Sequence, residues 1–225
     1  MNNKHSIRIA IADDHIMVRD CICRMISATP GFEVCIKAGD GIELIEQLTA
    51  METLPGICIL DVQMPGMNGY EAMKHIRKNW PELKVLVLSM LEDEFAIARM
   101  LALGANGYLG KSCSMNDLLD ALLAIDAKGY HHSELIPANT PFLNGRINAS
   151  IPNIDEEEMS FLKYCPTDMT IKEIAGRMAI NADTAQGYMG SLFQKLNLRT
   201  RHGLAIFAVK AGLVSMREVN TYPGS

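Results

Sequence analysis

One arrangement recurs five times along the first part of this 225-residue sequence: a short apolar run ends and gives way to helical spacing. The runs are Ile7–Ala12, Phe32–Ala38, Ile57–Leu60, Val85–Leu88 and Gly107–Leu109. Ile57–Leu60 and Val85–Leu88 contain no polar residue, which suits strands buried on both faces, the condition of parallel sheets. Between the runs, apolar residues fall three and four apart, as in Ile16, Met17, Cys21, Ile22, Met25 and Ile26. The spacing predicts helices over 15–28, from Gly41 through Leu48, over 70–79, around Phe95 to Leu101, and over 115–127. Thr29-Pro30-Gly31, Trp80-Pro81 and Gly104 close three of them. Strands and helices alternating in this way, with right-handed crossovers, predict an α/β flavodoxin-like doubly wound five-stranded parallel sheet.

In such a sheet, ligands bind at the carboxyl ends of the strands. The polar residues placed there are Asp13 and Asp14 after the first run, Asp61 after the third, Ser89 after the fourth and Lys111 after the fifth. Taken singly, each has a plain explanation as a helix cap, a strand end or a surface charge. Together they are complementary. Three carboxylates at one edge repel each other, and a cation among them relieves the repulsion. Oxygen ligands with room for water select Mg²⁺ rather than zinc. Lys111 can offer a positive charge to a phosphoryl group, and Ser89 a hydroxyl donor. Asp61, alone on the central strand, is the natural nucleophile for an aspartyl phosphate. Pro65, Gly66, Asn68 and Gly69 then force a turn beside it.

After residue 128 the character changes. Pro137, Pro141, Asn144-Gly145 and Pro152 interrupt any regular pattern, which predicts a linker with room for a short helix of its own. The pair His131-His132 has no Cys or acidic neighbour at ligand spacing. From Ile154 onward the pattern is helical. Asp155-Glu156-Glu157-Glu158 opens a helix to about Tyr164, and capping with a solvated acidic face accounts for that run. Thr170 with Glu173 reads as a capping box. Helices over 171–178 and 182–196 across a tight break describe a helix-turn-helix, followed by a helix over 201–211 before Gly212. The domains are expected at 1–127 and 151–217, with a linker over 128–150 and a tail over 218–225.

Charge separates the halves. Residues 1–127 hold eleven Lys and Arg against seventeen Asp and Glu, whereas residues 169–217 hold seven against two. The net charge of −5 argues against non-specific nucleic-acid binding by the whole chain, but the basic tail is a candidate polyanion contact. Six scattered cysteines without a CxxC pair suit thiols buried as small core residues in a reducing compartment. The start, Met-Asn-Asn-Lys-His-Ser, has no signal-peptide core, and no apolar run approaches a membrane span, so a cytoplasmic protein without membrane contact is expected.

Ile-Ala-Asp13-Asp14-His, Leu-Asp61-Val-Gln-Met-Pro65-Gly-Met-Asn-Gly69, Leu-Ser89 and Tyr108-Leu-Gly-Lys111 together resemble a receiver domain of the two-component response regulators. Ile171-Lys172-Glu173-Ile174-Ala175 and Leu192-Phe-Gln-Lys195-Leu196-Asn197-Leu198 resemble a LuxR-type helix-turn-helix. Both together resemble the NarL/FixJ-type regulators. That resemblance implies phosphorylation of Asp61 by a sensor histidine kinase, with Mg²⁺ held by Asp13, Asp14, Asp61 and the main chain of Gln63. Ser89 and Lys111 contact the phosphoryl group, and Tyr108 rotates inward as Ser89 moves. Gln63 and Leu91 match positions that tune dephosphorylation. On promoter DNA the expected contacts are Lys172, Thr184, Gln186, Tyr188, Lys195, Arg199 and Arg201, in a homodimer formed on activation.

The recognition helix departs from the family, with Ala185 where valine is common and with Gly187 and Gly190, each weakening a helix by about 1 kcal/mol relative to Ala. Asp183 near its start sits poorly against phosphate unless it caps the helix. Two alternatives stay open: an output domain that binds protein rather than DNA, and a Mg²⁺-dependent phosphatase using Asp61. The second is disfavoured because Gln63 stands where such enzymes place a second acid; the chain is otherwise no enzyme beyond its own phosphoryl transfer.

Overall fold

The computed structural model describes residues 6–135, the backbone of 142–143 and 146–147, and residues 154–214. Backbone proximity divides the chain into two compact units, Met1–Ser150 and Ile151–Ser225.

In the first unit, five strands form one sheet in the order β2-β1-β3-β4-β5, the flavodoxin-like order expected. They are β1 Ile7–Ala12, β2 Phe32–Ala38, β3 Ile57–Leu60, β4 Lys84–Ser89 and β5 Gly107–Gly110, and every pairing is parallel. Helices α1 Ile16–Ala28, α2 Gly41–Ala50, α3 Gly69–Asn79, α4 Glu94–Ala102 and α5 Met115–Lys128 alternate with them. Strand side chains alternate between the two faces. One face, with Ile9, Ile11, Ile57, Ile59, Leu86, Leu88 and Leu109, packs on Cys23 and Ile26 of α1 and on Leu118, Ala121, Leu122 and Ile125 of α5. The alternate positions Ala10, Cys58, Leu60, Val85 and Val87 are fully buried too, so the middle strands are apolar throughout. Burial pushes the Cys58 thiol up to about 12, which makes it an inert core residue.

Side chains fix where the helices begin. Asp40, Asn68, Asp93 and Ser114 accept the orphan N–H groups of α2, α3, α4 and α5. Beyond α5 the chain turns back along β5: the His131 N–H donates to the Asn106 carbonyl at 2.8 Å, and Ser133 Oγ donates to the Tyr108 carbonyl at 2.6 Å. Within the stretch read as a linker with room for a helix, two-residue strands β6 Phe142–Leu143 and β7 Arg146–Ile147 pair antiparallel. The remainder of that stretch, over 136–141, 144–145 and 148–150, lies outside the described residues, as do 151–153 and 215–217 of the expected output domain and the tail over 218–225.

The second unit contains α6 Glu156–Tyr164, α7 Ile171–Arg177, α8 Ala182–Lys195 and α9 Arg201–Lys210. Capping boxes start α6 (Asp155 with Glu158) and α7 (Thr170 with Glu173). Asn181 caps α8 by accepting the Thr184 N–H, so Asp183 is not its cap. The core joins Phe161, Leu162, Ile174, Ala175, Ala185, Leu192, Leu204 and Ala208. Among the described residues, no helix is long and apolar enough to cross a membrane. All six cysteines are free; Cys23, Cys58 and Cys165 are buried as expected, whereas Cys21 is exposed.

Candidate functional site

The ends of β1, β3, β4 and β5 bring five expected side chains to one place. Asp61, 2% exposed, is gripped on both oxygens. Its Oδ1 accepts the Ser89 hydroxyl at 2.8 Å and the Val62 N–H at 2.6 Å, and its Oδ2 accepts Lys111 Nζ at 2.6 Å. Lys111 also reaches Asp13 Oδ2 at 2.8 Å, bridging the two acids. Asp14 completes the cluster at the more open side.

The charges are unevenly balanced. Burial pushes the Asp61 carboxyl above its ordinary range and the nearby Asp13 adds to the push, while Lys111 and Ser89 act against it. For Lys111, burial works to lower the ammonium's pKa, but Asp61 and Asp13 prevail and raise it. One lysine therefore serves two enclosed carboxylates, and the site carries surplus negative charge.

The rim is shaped by close approach. The Gly69 N–H donates to the Val62 carbonyl at 2.9 Å, and a Cβ on Gly69 would lie 2.3 Å from the Asp61 carbonyl oxygen. No other residue fits there without moving the backbone that carries Asp61. Tyr108 is fully buried, and its hydroxyl donates to the Leu91 carbonyl at 2.6 Å. The aromatic ring thus stands inward while Ser89 is turned to Asp61.

One participant went unread in the sequence. His15 Nδ1 lies 2.8 Å from Asp14 Oδ1, without hydrogen-bond alignment, and 3.3 Å from Asp13 Oδ1. Ligand atoms from Asp13, Asp14, His15 and Asp61 all fall within 4.8 Å of one another. Asp14 Oδ1 is buried without a hydrogen-bond partner, which fits a cation-binding pocket. The signal was available, since His15 directly follows the acid pair.

The expected DNA-contacting residues divide. Lys172, Gln186 and Arg199 are exposed, and Thr184 is half-buried in the first turn of α8. Tyr188 is half-buried, its ring 6.5 Å from that of Phe161. Lys195 and Arg201, expected to grip phosphates, are exposed and half-buried respectively, and each is engaged by a partner within the unit. Lys195 Nζ pairs with Glu158 at 2.6 Å, and Arg201 Nη2 donates to the Thr167 carbonyl at 2.8 Å. The reason for the first is Glu158, which is 2% exposed rather than part of a solvated face. Its oxygens also accept Ser191 Oγ at 2.6 Å and the Asp155 N–H at 3.0 Å. Burial alone would raise its carboxyl, but Lys195, Ser191 and Asp155 hold it below the ordinary range.

Comparison with known proteins agrees with both units. Residues 9–123 match the response regulator receiver domain, and residues 156–208 match the bacterial regulatory proteins of the luxR family. The response regulator GacA of Pseudomonas protegens is 28% identical over 210 residues, spanning 92% of this chain and 98% of its own. The transcriptional regulatory protein DegU of Brevibacillus brevis is 26% identical, spanning 96% of this chain and 98% of its own. Among solved structures, RcsB of Salmonella enterica serovar Typhimurium, bound to the promoter P1flhDC with the phosphomimetic BeF3-, shares the fold at a TM-score of 0.65. It is 23% identical and covers 90% of this chain and 98% of its own. A LuxR-family two-component response regulator from Aurantimonas is 33% identical over 56% of this chain and 88% of its own, with a TM-score of 0.52. With the receiver match spanning just over half of its length and the luxR match following, the chain belongs to the response regulators that carry a luxR-type helix-turn-helix.

Proposed function

We propose that this chain is a phosphorylation-controlled transcription regulator whose phosphoacceptor is Asp61. The observation that carries the reading is the convergence of Ser89, Lys111 and the Val62 N–H on one buried carboxylate. An Asp61 oxygen attacks the phosphorus of a phosphohistidine on a sensor kinase; the new O–P bond forms as the N–P bond breaks, and the imidazole leaves. Lys111 and Ser89, already within hydrogen-bond reach of Asp61, turn to the oxygens of the transferred group. Mg²⁺ would be held by Asp13, Asp14, Asp61 and the Gln63 main chain, and when bound it neutralises charge on the phosphoryl oxygens. New charge at Asp61 redraws the bonds of Ser89 and Lys111 beside the inward Tyr108, a local event that biases a two-state surface.

The receiver is assigned to 1–127, the linker to 128–150, the output domain to 151–217 and the tail to 218–225, working in the cytoplasm. The output domain takes promoter DNA as a homodimer, with Lys172 and Arg199 on phosphates and Thr184 and Gln186 on the groove side. In support, RcsB is described as two dimers bound to two parallel DNAs. A specific observation also favours the alternative, an output domain that acts on protein: Lys195 and Arg201 already have partners within the unit, which compete with phosphate for these cations.

Incubation with Mg²⁺ and a small phosphodonor should give one hydroxylamine-sensitive phosphate per chain, absent in Asp61→Asn. Equal labelling of Asp61→Asn would refute the assignment. Salt-dependent retardation of promoter DNA that weakens in Lys172→Ala and Arg199→Ala supports the DNA reading; retardation indifferent to both substitutions favours the protein one.

A further inference from the structure

We propose that His15 is a ligand of the metal in the acidic site and makes that site favour nitrogen-accepting divalent ions, with Mn²⁺ as the probe, over Mg²⁺. The inference rests on the reading of Asp13, Asp14 and Asp61 as a metal site.

Three observations carry it. The first is placement. The His15 N–H donates to Asp13 Oδ1 at 2.9 Å, which fixes the turn after β1 and brings the imidazole over the acid pair. Its Nδ1 stands 2.8 Å from Asp14 Oδ1 and 3.3 Å from Asp13 Oδ1. The second is size. Donor atoms of Asp13, Asp14, His15 and Asp61 lie within 4.8 Å of one another. An octahedral ion with bonds of about 2.1 Å sets its ligand atoms about 3.0 Å apart in neighbouring positions and about 4.2 Å apart in opposite ones. His15 is exposed and Asp14 half-buried, so both side chains have room to adjust towards those spacings. The third is an unanswered acceptor: Asp14 Oδ1 is buried, lacks a hydrogen bond and faces the imidazole nitrogen at contact distance. An ion between them would satisfy both lone pairs.

Selectivity follows from ligand chemistry. Carboxylate, carbonyl and water suit Mg²⁺ and Mn²⁺ alike, but affinity for a nitrogen donor belongs to the first-row transition ions, from Mn²⁺ at the weak end of the series upward, rather than to Mg²⁺. Adding one nitrogen donor therefore strengthens Mn²⁺ binding and leaves Mg²⁺ nearly unaffected. The enclosed oxygens of Asp61 and Asp13 are already engaged by Lys111, so the ion enters from the open side, where His15 stands with its side chain 56% exposed.

The test is metal binding by the full chain, comparing wild type, His15→Ala and Asp61→Asn with Mg²⁺ and Mn²⁺. Electron spin echo spectra of bound Mn²⁺ should show ¹⁴N modulation in wild type and none in His15→Ala. The substitution should weaken Mn²⁺ about tenfold and change Mg²⁺ less than twofold. Absence of ¹⁴N modulation in wild type, or an unchanged Mn²⁺ to Mg²⁺ ratio in His15→Ala, overturns the role of His15 while leaving the metal site intact. Failure of both ions to bind, or binding indifferent to Asp61→Asn, overturns the metal-site reading itself and the inference with it.

Discussion

Asp61 in the receiver and Glu158 in the output unit are each 2% exposed, and each accepts a lysine ammonium at 2.6 Å. Their surroundings differ in one respect. Lys111 is shared between Asp61 and Asp13, so the receiver pocket holds more negative than positive charge. Glu158 has Lys195 to itself, with Ser191 and the Asp155 N–H as further donors. Asp61 is accordingly held above its ordinary pKa and Glu158 below it. A buried ion pair is thus a structural tie where its donors suffice and a binding site where they fall short.

The largest expected effect breaks the Glu158 tie. Lys195→Ala leaves a buried carboxylate without its counter-ion and should destabilise the output unit by about 3 kcal/mol, the low end for such pairs because Lys195 is 30% exposed. Fluorescence of the lone tryptophan, Trp80, reports the receiver and should not move; a matching loss there would break the independence assumed between the two pairs.

Acidification sharpens the contrast. A depressed carboxyl contributes stability that is present above its ordinary value, 4.5 for Glu158, and is lost as pH falls through the folded value. A raised one, Asp61, contributes in the opposite sense: its stabilisation is complete below 3.8 and is lost as pH rises through the folded value. Melting followed by circular dichroism and by Trp80 fluorescence, without added metal, should show the output transition falling more steeply than the receiver transition below pH 4.5. Glu158→Gln should remove most of that steepness.

Smaller again is Asp61→Asn, which relieves the surplus charge and should raise the metal-free receiver transition by roughly 2–5 °C; a lowered transition would mean that the Lys111 bond outweighs burial. The smallest change is in α8. A Cβ at Gly187 or Gly190 would meet nothing within 4 Å, so each Gly→Ala should stabilise the output unit by about 1 kcal/mol, read by chemical denaturation.

The sheet was legible because its signal is local and redundant: β1, β2 and β3 fall on the apolar runs that predict them. The strand ends also named Asp61, Ser89 and Lys111, since in a parallel sheet a run's last residue fixes its place. Pairings distant in sequence were harder to see. Glu158 reads as one of four consecutive acids, yet it shares helical spacing with Phe161, Leu162 and Cys165, all buried, and that spacing marks the inward face. Lys195, three residues after buried Leu192, repeats the same pattern on α8. Charge counting along the tail treats both as free surface charges, whereas Glu158 is buried and Lys195, itself exposed, is tied to it.

The bonds from His131 to Asn106 and from Ser133 to Tyr108 fasten the chain to β5 after α5 has ended. They hold residues 131 and 133 beside β5, within the first unit. Ser133→Ala would leave the buried Tyr108 carbonyl without that side-chain donor, so the backbone that carries the inward tyrosine is held from outside the sheet by a residue that follows α5.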